Sequence, residues 1–100
     1  MSNIKLAECI GAGSLKDAVT SAVIQDTRIR MYSYAVTTAC EIRIDAGGKT
    51  VIKQSVVGTN TQDSVYLPDQ GIKCSGEVSV IGISNAGKFY VYYGYIDAFL

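Results

Sequence analysis

Histidine is absent from this 100-residue chain. That removes imidazole acid/base catalysis, Cys-His and Ser-His-Asp nucleophilic arrangements, and imidazole metal ligands. The three cysteines, Cys9, Cys40 and Cys74, are odd in number and form no C-x-x-C spacing, so they read as free thiols. Cys40 shares the apolar alternation of Ile42 and Cys74 that of Ile72, which points to core packing as small hydrophobes. Cys9 has no basic cluster beside it to activate a thiolate. Asp63 and Asp69 flank a loop and have the chemistry of an acid/base pair or of oxygen ligands for a hard cation, but Asp is also a routine turn residue. The solvated reading is the simpler one. Gly11-x-Gly13 lacks the third glycine, the preceding strand and the βαβ rhythm of a dinucleotide fingerprint. The expectation is a protein that is not an enzyme, with no catalytic residue, no metal and no cofactor.

Tyrosine and arginine carry more information. Arg28, Arg30, Tyr32 and Tyr34 recur at every second position, a stripe of residue types enriched at protein interfaces. Tyr90 and Tyr92 alternate with Phe89, Val91 and Tyr93, so both faces of that segment are apolar enough to want cover. The segment from Tyr95 to Leu100 is apolar to its last residue, whereas chain ends usually fray as polar tails. Arg28, Arg30, Tyr32, Tyr34, Tyr90, Tyr92, Phe99 and Leu100 are therefore the expected subunit-interface residues. The alternatives are an ordinary Tyr-rich sheet with arginine stems lying across it, a sugar-binding face, and a nucleic-acid face.

These side chains need strands to hold them. Val, Ile, Thr and Tyr are abundant and proline occurs once, a composition suited to pleated, half-buried surfaces. Alternation of period two predicts strands over residues 28 to 35 and 40 to 45. Asp45-Ala-Gly-Gly-Lys49 then predicts a hairpin spanning residues 40 to 54. A second hairpin is expected from residues 77 to 84 and 88 to 95, turning at Asn85-Ala-Gly87. Short strands are expected at residues 64 to 67 and 72 to 74, separated by Pro68 and Gly71, with a surface loop over residues 55 to 63. Residues 11 to 19 have a helix-opening composition capped by Ser14, but the β-branched run after Val19 favours a strand over residues 19 to 24. Residues 1 to 14 read as an N-terminal arm and residues 15 to 100 as one domain. The fold expected is all-β: one small antiparallel β-sandwich, jelly-roll-like, of about seven or eight short strands.

Composition bounds the partners. Single cores divide only beyond roughly 250 residues, so one domain is expected. Nine Lys and Arg balance nine Asp and Glu, which leaves no global field to draw nucleic acid or an anionic membrane surface. No apolar run approaches the roughly 20 residues of a membrane-spanning helix. Glu8 interrupts the start where a secretory signal would be apolar, so the chain reads as made in a reducing cytosol.

From about Ser14 to Tyr95 the order of elements resembles the small all-β virion proteins of tailed bacteriophages. The comparable run is residues 27 to 34, Glu41-Ile-Arg-Ile-Asp-Ala-Gly-Gly-Lys-Thr-Val-Ile52, Val65-Tyr-Leu-Pro-Asp-Gln-Gly-Ile-Lys-Cys74, and Val91-Tyr-Tyr93. An opening strand pair, a Gly-rich hairpin, a Gly-Ile turn and a closing aromatic strand follow one another in that order. The resemblance implies a virion structural protein made in the host cytoplasm: a capsid decoration or cement subunit binding the major capsid protein, or a head-tail, tail or fibre component. It implies a homo-oligomer, with a trimer among the candidates. A carbohydrate-binding sandwich is the reading from another class, disfavoured by the lack of Trp.

Overall fold

A computed structural model describes residues 4–68 and 70–95. The described residues form nine strands and no helix: β1 (Lys5–Ile10), β2 (Gly13–Ser14), β3 (Lys16–Asp17), β4 (Gln25–Val36), β5 (Cys40–Ala46), β6 (Lys49–Val56), β7 (Thr61–Tyr66), β8 (Ile72–Ile81) and β9 (Lys88–Tyr95). All pairings are antiparallel, in the order β3-β1-β9-β4-β8-β5-β6, with β2 also on β8 and β7 also on β4. The all-β antiparallel sandwich expected from the alternation is what forms.

The two layers are one folded sheet. The first half of β8 pairs with β4, and its second half pairs with β5. The change of layer occurs around Gly76, whose φ of 88° suits glycine and whose N–H donates to Asp26 Oδ1 at 2.9 Å. We call the half containing β3, β1, β9, β4 and β7 sheet A, and the half containing β6, β5 and the end of β8 sheet B. Ile29, Phe89, Val91 and Tyr93 of sheet A close on Ile42, Ile44, Val78 and Val80 across one continuous core. The Tyr32 hydroxyl donates to Gln54 Oε1 at 2.6 Å, tying β4 to β6 across the sandwich.

Several elements differ from their sequence reading. Of the arm expected over residues 1 to 14, the first three lie outside the described residues and the rest is not free: β1 lies between β9 and β3, and Ala7 is buried. Residues 19 to 24 do not form a strand. Asp17 Oδ1 accepts the N–H groups of Val19 and Thr20, which a ladder would need, and the chain turns until Val23 makes an isolated bridge to Lys16. The loop expected over residues 55 to 63 is shorter, because β6 runs to Val56 and β7 begins at Thr61. The first hairpin forms as expected, with Gly47 and Gly48 at φ of 58° and 84° between β5 and β6. The second does not. β8 and β9 lie on opposite sides of β4, so the turn-forming residues Asn85 and Gly87 connect two strands that are not partners. The short strands foreseen over residues 72 to 74 and 77 to 84 are one strand, β8.

The central irregularity is in β4. Against β9, Ile29 pairs with Tyr93 but Met31 pairs with Tyr92, so Arg30 is an extra residue, a β-bulge. At the same level β4 exchanges β8 for β7 as its neighbour. Gly71 packs there with φ of 81°, and a Cβ on it would lie 2.1 Å from the carbonyl oxygen of Ile29. Gly48 has a similar φ of 84° but open space around it.

A buried polar knot holds the β3 edge. Tyr93 is buried and its hydroxyl donates to Asp17 Oδ2 at 2.5 Å. That hydrogen bond, with those from Thr20 and Val19, holds the Asp17 carboxyl down to about 2. Burial first, and then the hydrogen bond to Asp17, push the Tyr93 hydroxyl up.

Two predictions follow from these sites. Gly71→Ala is expected to destabilise by roughly 3–5 kcal/mol, and Gly48→Ala by only about 1–2 kcal/mol for its left-handed backbone; urea unfolding of the pair measures the difference. Because the Asp17 carboxyl is more acidic folded than unfolded, its contribution is present above the unfolded value near 4 and is lost as pH falls towards about 2. Thermal melting from pH 5 to pH 2 should therefore fall less steeply in Asp17→Asn than in the parent, and the variant should be less stable at pH 5.

Candidate docking surface

The expected stripe of Arg28, Arg30, Tyr32 and Tyr34 does not exist as one face. Upstream of the bulge the inward residues of β4 are Thr27 and Ile29; downstream they are Tyr32, Tyr34 and Val36. One inserted residue inverts the phase of the alternation. Tyr32 and Tyr34, 4% and 5% exposed, are core residues. Tyr32 stacks on Phe89 with ring centroids 5.5 Å apart and planes at 21°. Burial raises both hydroxyls, with Asp63, opposite Tyr34 on β7, adding to the effect. Arg28 and Arg30 are half-buried. Tyr90 and Tyr92 do point away from Phe89, Val91 and Tyr93. Phe99 and Leu100 lie outside the described residues.

What remains is the outer face of sheet A. The registers set Leu6, Tyr92, Met31 and Tyr66 side by side across β1, β9, β4 and β7. Tyr66 is 78% exposed and Tyr92 39%, whereas Leu6 and Met31 are half-buried. The next row is Glu8, Tyr90, Ser33 and Ser64, and the row after that Ile10, Lys88, Ala35 and Gln62. Ser33, Tyr34, Ala35, Gln62, Asp63, Ser64 and Tyr90 line a shallow depression of about 420 Å³. Towards the other end Arg28 pairs with Gly94 on one side and Lys73 on the other, adding positive charge beside the tyrosines.

Sheet B presents a different outer face. Glu41, Arg43 and Asp45 on β5 stand beside Ser55, Lys53 and Thr50 on β6. Its charges alternate in sign, as on a solvated surface. The face of sheet A, unlike that of sheet B, sets tyrosines among its charges, and aromatic residues of that kind favour burial against a partner.

The thiols behave as packing groups. Cys74 is fully buried, and burial pushes its thiol up to about 11. Cys9 is raised by burial, an effect that Lys16 opposes, and its Sγ donates to the Gly11 carbonyl at 3.1 Å. Cys40 is half-buried against the core. Among the described residues no cluster of three metal-ligating side chains occurs. Asp63 does not face a loop partner; it sits in β7, where its Oδ1 accepts the Ser64 N–H at 2.8 Å. Asp69 lies outside the described residues.

Tyr66, Met31 and Leu6 were not among the expected interface residues. Their alignment depends on pairings between strands far apart in sequence, and only the alternation of Val65 with Tyr66 hinted at an outward tyrosine.

The two classes of tyrosine should separate in a mutational test. Tyr34→Ala is expected to cost about 3 kcal/mol or more, as for other large buried aromatics, while Tyr66→Ala and Tyr92→Ala should shift stability by less than about 1 kcal/mol; chemical denaturation of the three variants decides it. The chain matches no family model, no curated protein and no solved structure.

Proposed function

We propose that this protein is a non-enzymatic structural protein of a tailed-phage virion, a capsid decoration or cement subunit that binds the major capsid protein and works as a homo-oligomer. The observation that carries this reading is the outer face of sheet A, where Leu6, Tyr92, Met31 and Tyr66 form one row on a neutral sandwich. A face of that kind is costly to leave in water and rewards a partner that covers it. Repetition on a particle surface would multiply weak contacts through avidity. The order of strands and turns, which resembles small virion proteins, supports the same reading. A tail or fibre position uses the same surface chemistry and differs in copy number.

A second reading is favoured by one feature. Tyr90 beside the hydroxyls and amide of Ser33, Ser64 and Gln62 is an aromatic platform with hydrogen-bonding flanks, which suits a neutral sugar.

Mass spectrometry of purified virions, with a pull-down against major capsid protein, tests the first reading. Hundreds of copies per particle are expected for decoration, about six or twelve would point to the tail, and absence from virions would overturn both. Selective binding on a glycan array, lost in Tyr90→Ala, would promote the second.

A further inference from the structure

Among the described residues four strands end a ladder: β2, β3, β6 and β7. Exposed edges invite pairing with another chain unless they are short or carry lysine, proline or a bulge. β2 and β3 are two residues each, and β6 carries Lys49 and Lys53. β7 is six residues long and has no lysine, no proline and no irregularity in its register. Its one charge is Asp63.

The hydrogen-bonding parity of β7 can be followed across sheet A. Ala18 N–H donates to the Leu6 carbonyl, so the even residues of β1 face β3 and its odd residues face β9. Carried across β9 and β4, this pattern turns Tyr32, Tyr34 and Val36 towards β7, bonded to Val65, Asp63 and Thr61. The bond from Leu67 N–H to the Arg30 carbonyl has the same parity. Hence the backbone N–H and C=O of Gln62, Ser64 and Tyr66 face the open edge. The Ser64 N–H is held by the adjacent Asp63 carboxylate, an easily displaced local cap.

We propose that β7 is the self-assembly edge of this protein: two copies pair β7 against β7, antiparallel about a two-fold axis, with Ser64 facing Ser64 of the second copy. In that register Gln62 faces Tyr66 of the second copy, and all the outward backbone groups of β7 are engaged. Asp63 falls opposite Val65. A register centred on Asp63 would oppose two carboxylates instead and is disfavoured, and one centred on Val65 would leave Gln62 without a partner in β7 of the second copy. Each Ser64 N–H exchanges its Asp63 cap for the carbonyl of the other Ser64. The outer face of sheet A then continues across the seam, with the row that ends at Tyr66 meeting the row that begins at Gln62 in the second copy, so that the dimer presents a doubled face to the particle. This deepens the homo-oligomer reading above, and the two fail separately.

Ser64→Pro is the test, because proline removes an N–H that faces outward and no bond to β4. Sedimentation equilibrium over a wide concentration range should show a dimer for the parent and roughly thirtyfold weaker association for the variant, with the melting temperature little changed. Hydrogen exchange on the unmodified protein gives a second readout that does not depend on the variant folding. The amides of Gln62, Ser64 and Tyr66 should slow as concentration rises, while those of Asp63 and Val65 stay protected throughout. A parent that is monomeric at every concentration, a folded variant that associates undiminished, or edge amides that exchange independently of concentration would each overturn the pairing. A dimer of this kind that is missing from virions would overturn the virion reading alone.

Discussion

The extra residue at Arg30 sets the rest of the molecule. By adding one position to β4 opposite Tyr92, it turns the upper half of the strand over, so that Ile29 and Tyr32 both reach the core although their spacing is odd. At the same level β4 takes β8 as neighbour below and β7 above, and Gly71 brings its backbone against the Ile29 carbonyl where the two meet. Without the bulge Tyr32 and Tyr34 would face water, and Met31 would point inward. Bulges bend and twist a strand as well as shifting its phase, and here that bend accompanies the fold of one sheet into two layers.

From that inversion the division of aromatic labour follows. Tyr32, Phe89 and Tyr93 fill the interior, each hydroxyl of the two tyrosines bonded to a polar partner, Gln54 or Asp17. Tyr66, Tyr90 and Tyr92 remain on the outside of the same sheet. A Tyr-rich composition therefore serves two purposes, which within β9 alternate residue by residue, and the outward tyrosines stand on sheet A while sheet B presents charged and polar side chains.

Much of this was legible from residue patterns and some was not. The all-β class, the β5–β6 hairpin and the inward and outward faces of β9 follow from local alternation and turn glycines. The β8–β9 hairpin failed because Asn85 and Gly87 specify a reversal of the chain, whereas the partner of each strand is chosen by core packing. The interface stripe failed because Ile29, Met31, Tyr32 and Tyr34 are apolar on both parities, so a phase change between them leaves no trace in hydrophobic spacing. Residues 19 to 24 were read from β-branching, but the Asp17 carboxylate captures their backbone donors first. The open edge at β7 was invisible, since an edge is defined by the strand that is not beside it.

The position of β9 bears on how the protein comes into being. It lies in the middle of sheet A, hydrogen-bonded to β1 on one side and β4 on the other, yet of the described strands it is synthesised after all the others. Chain emerges at about 5–20 residues per second, so for several seconds β1 and β4 exist without the strand that joins them. Until Phe89, Val91 and Tyr93 arrive, the core lacks its central aromatic layer, and among the described strands the pairings local in sequence are β1 with β3 and β5 with β6. Closure of this core thus waits until β9 has emerged, and a ribosome that stalls before β9 leaves an open, strand-rich product exposed to aggregation.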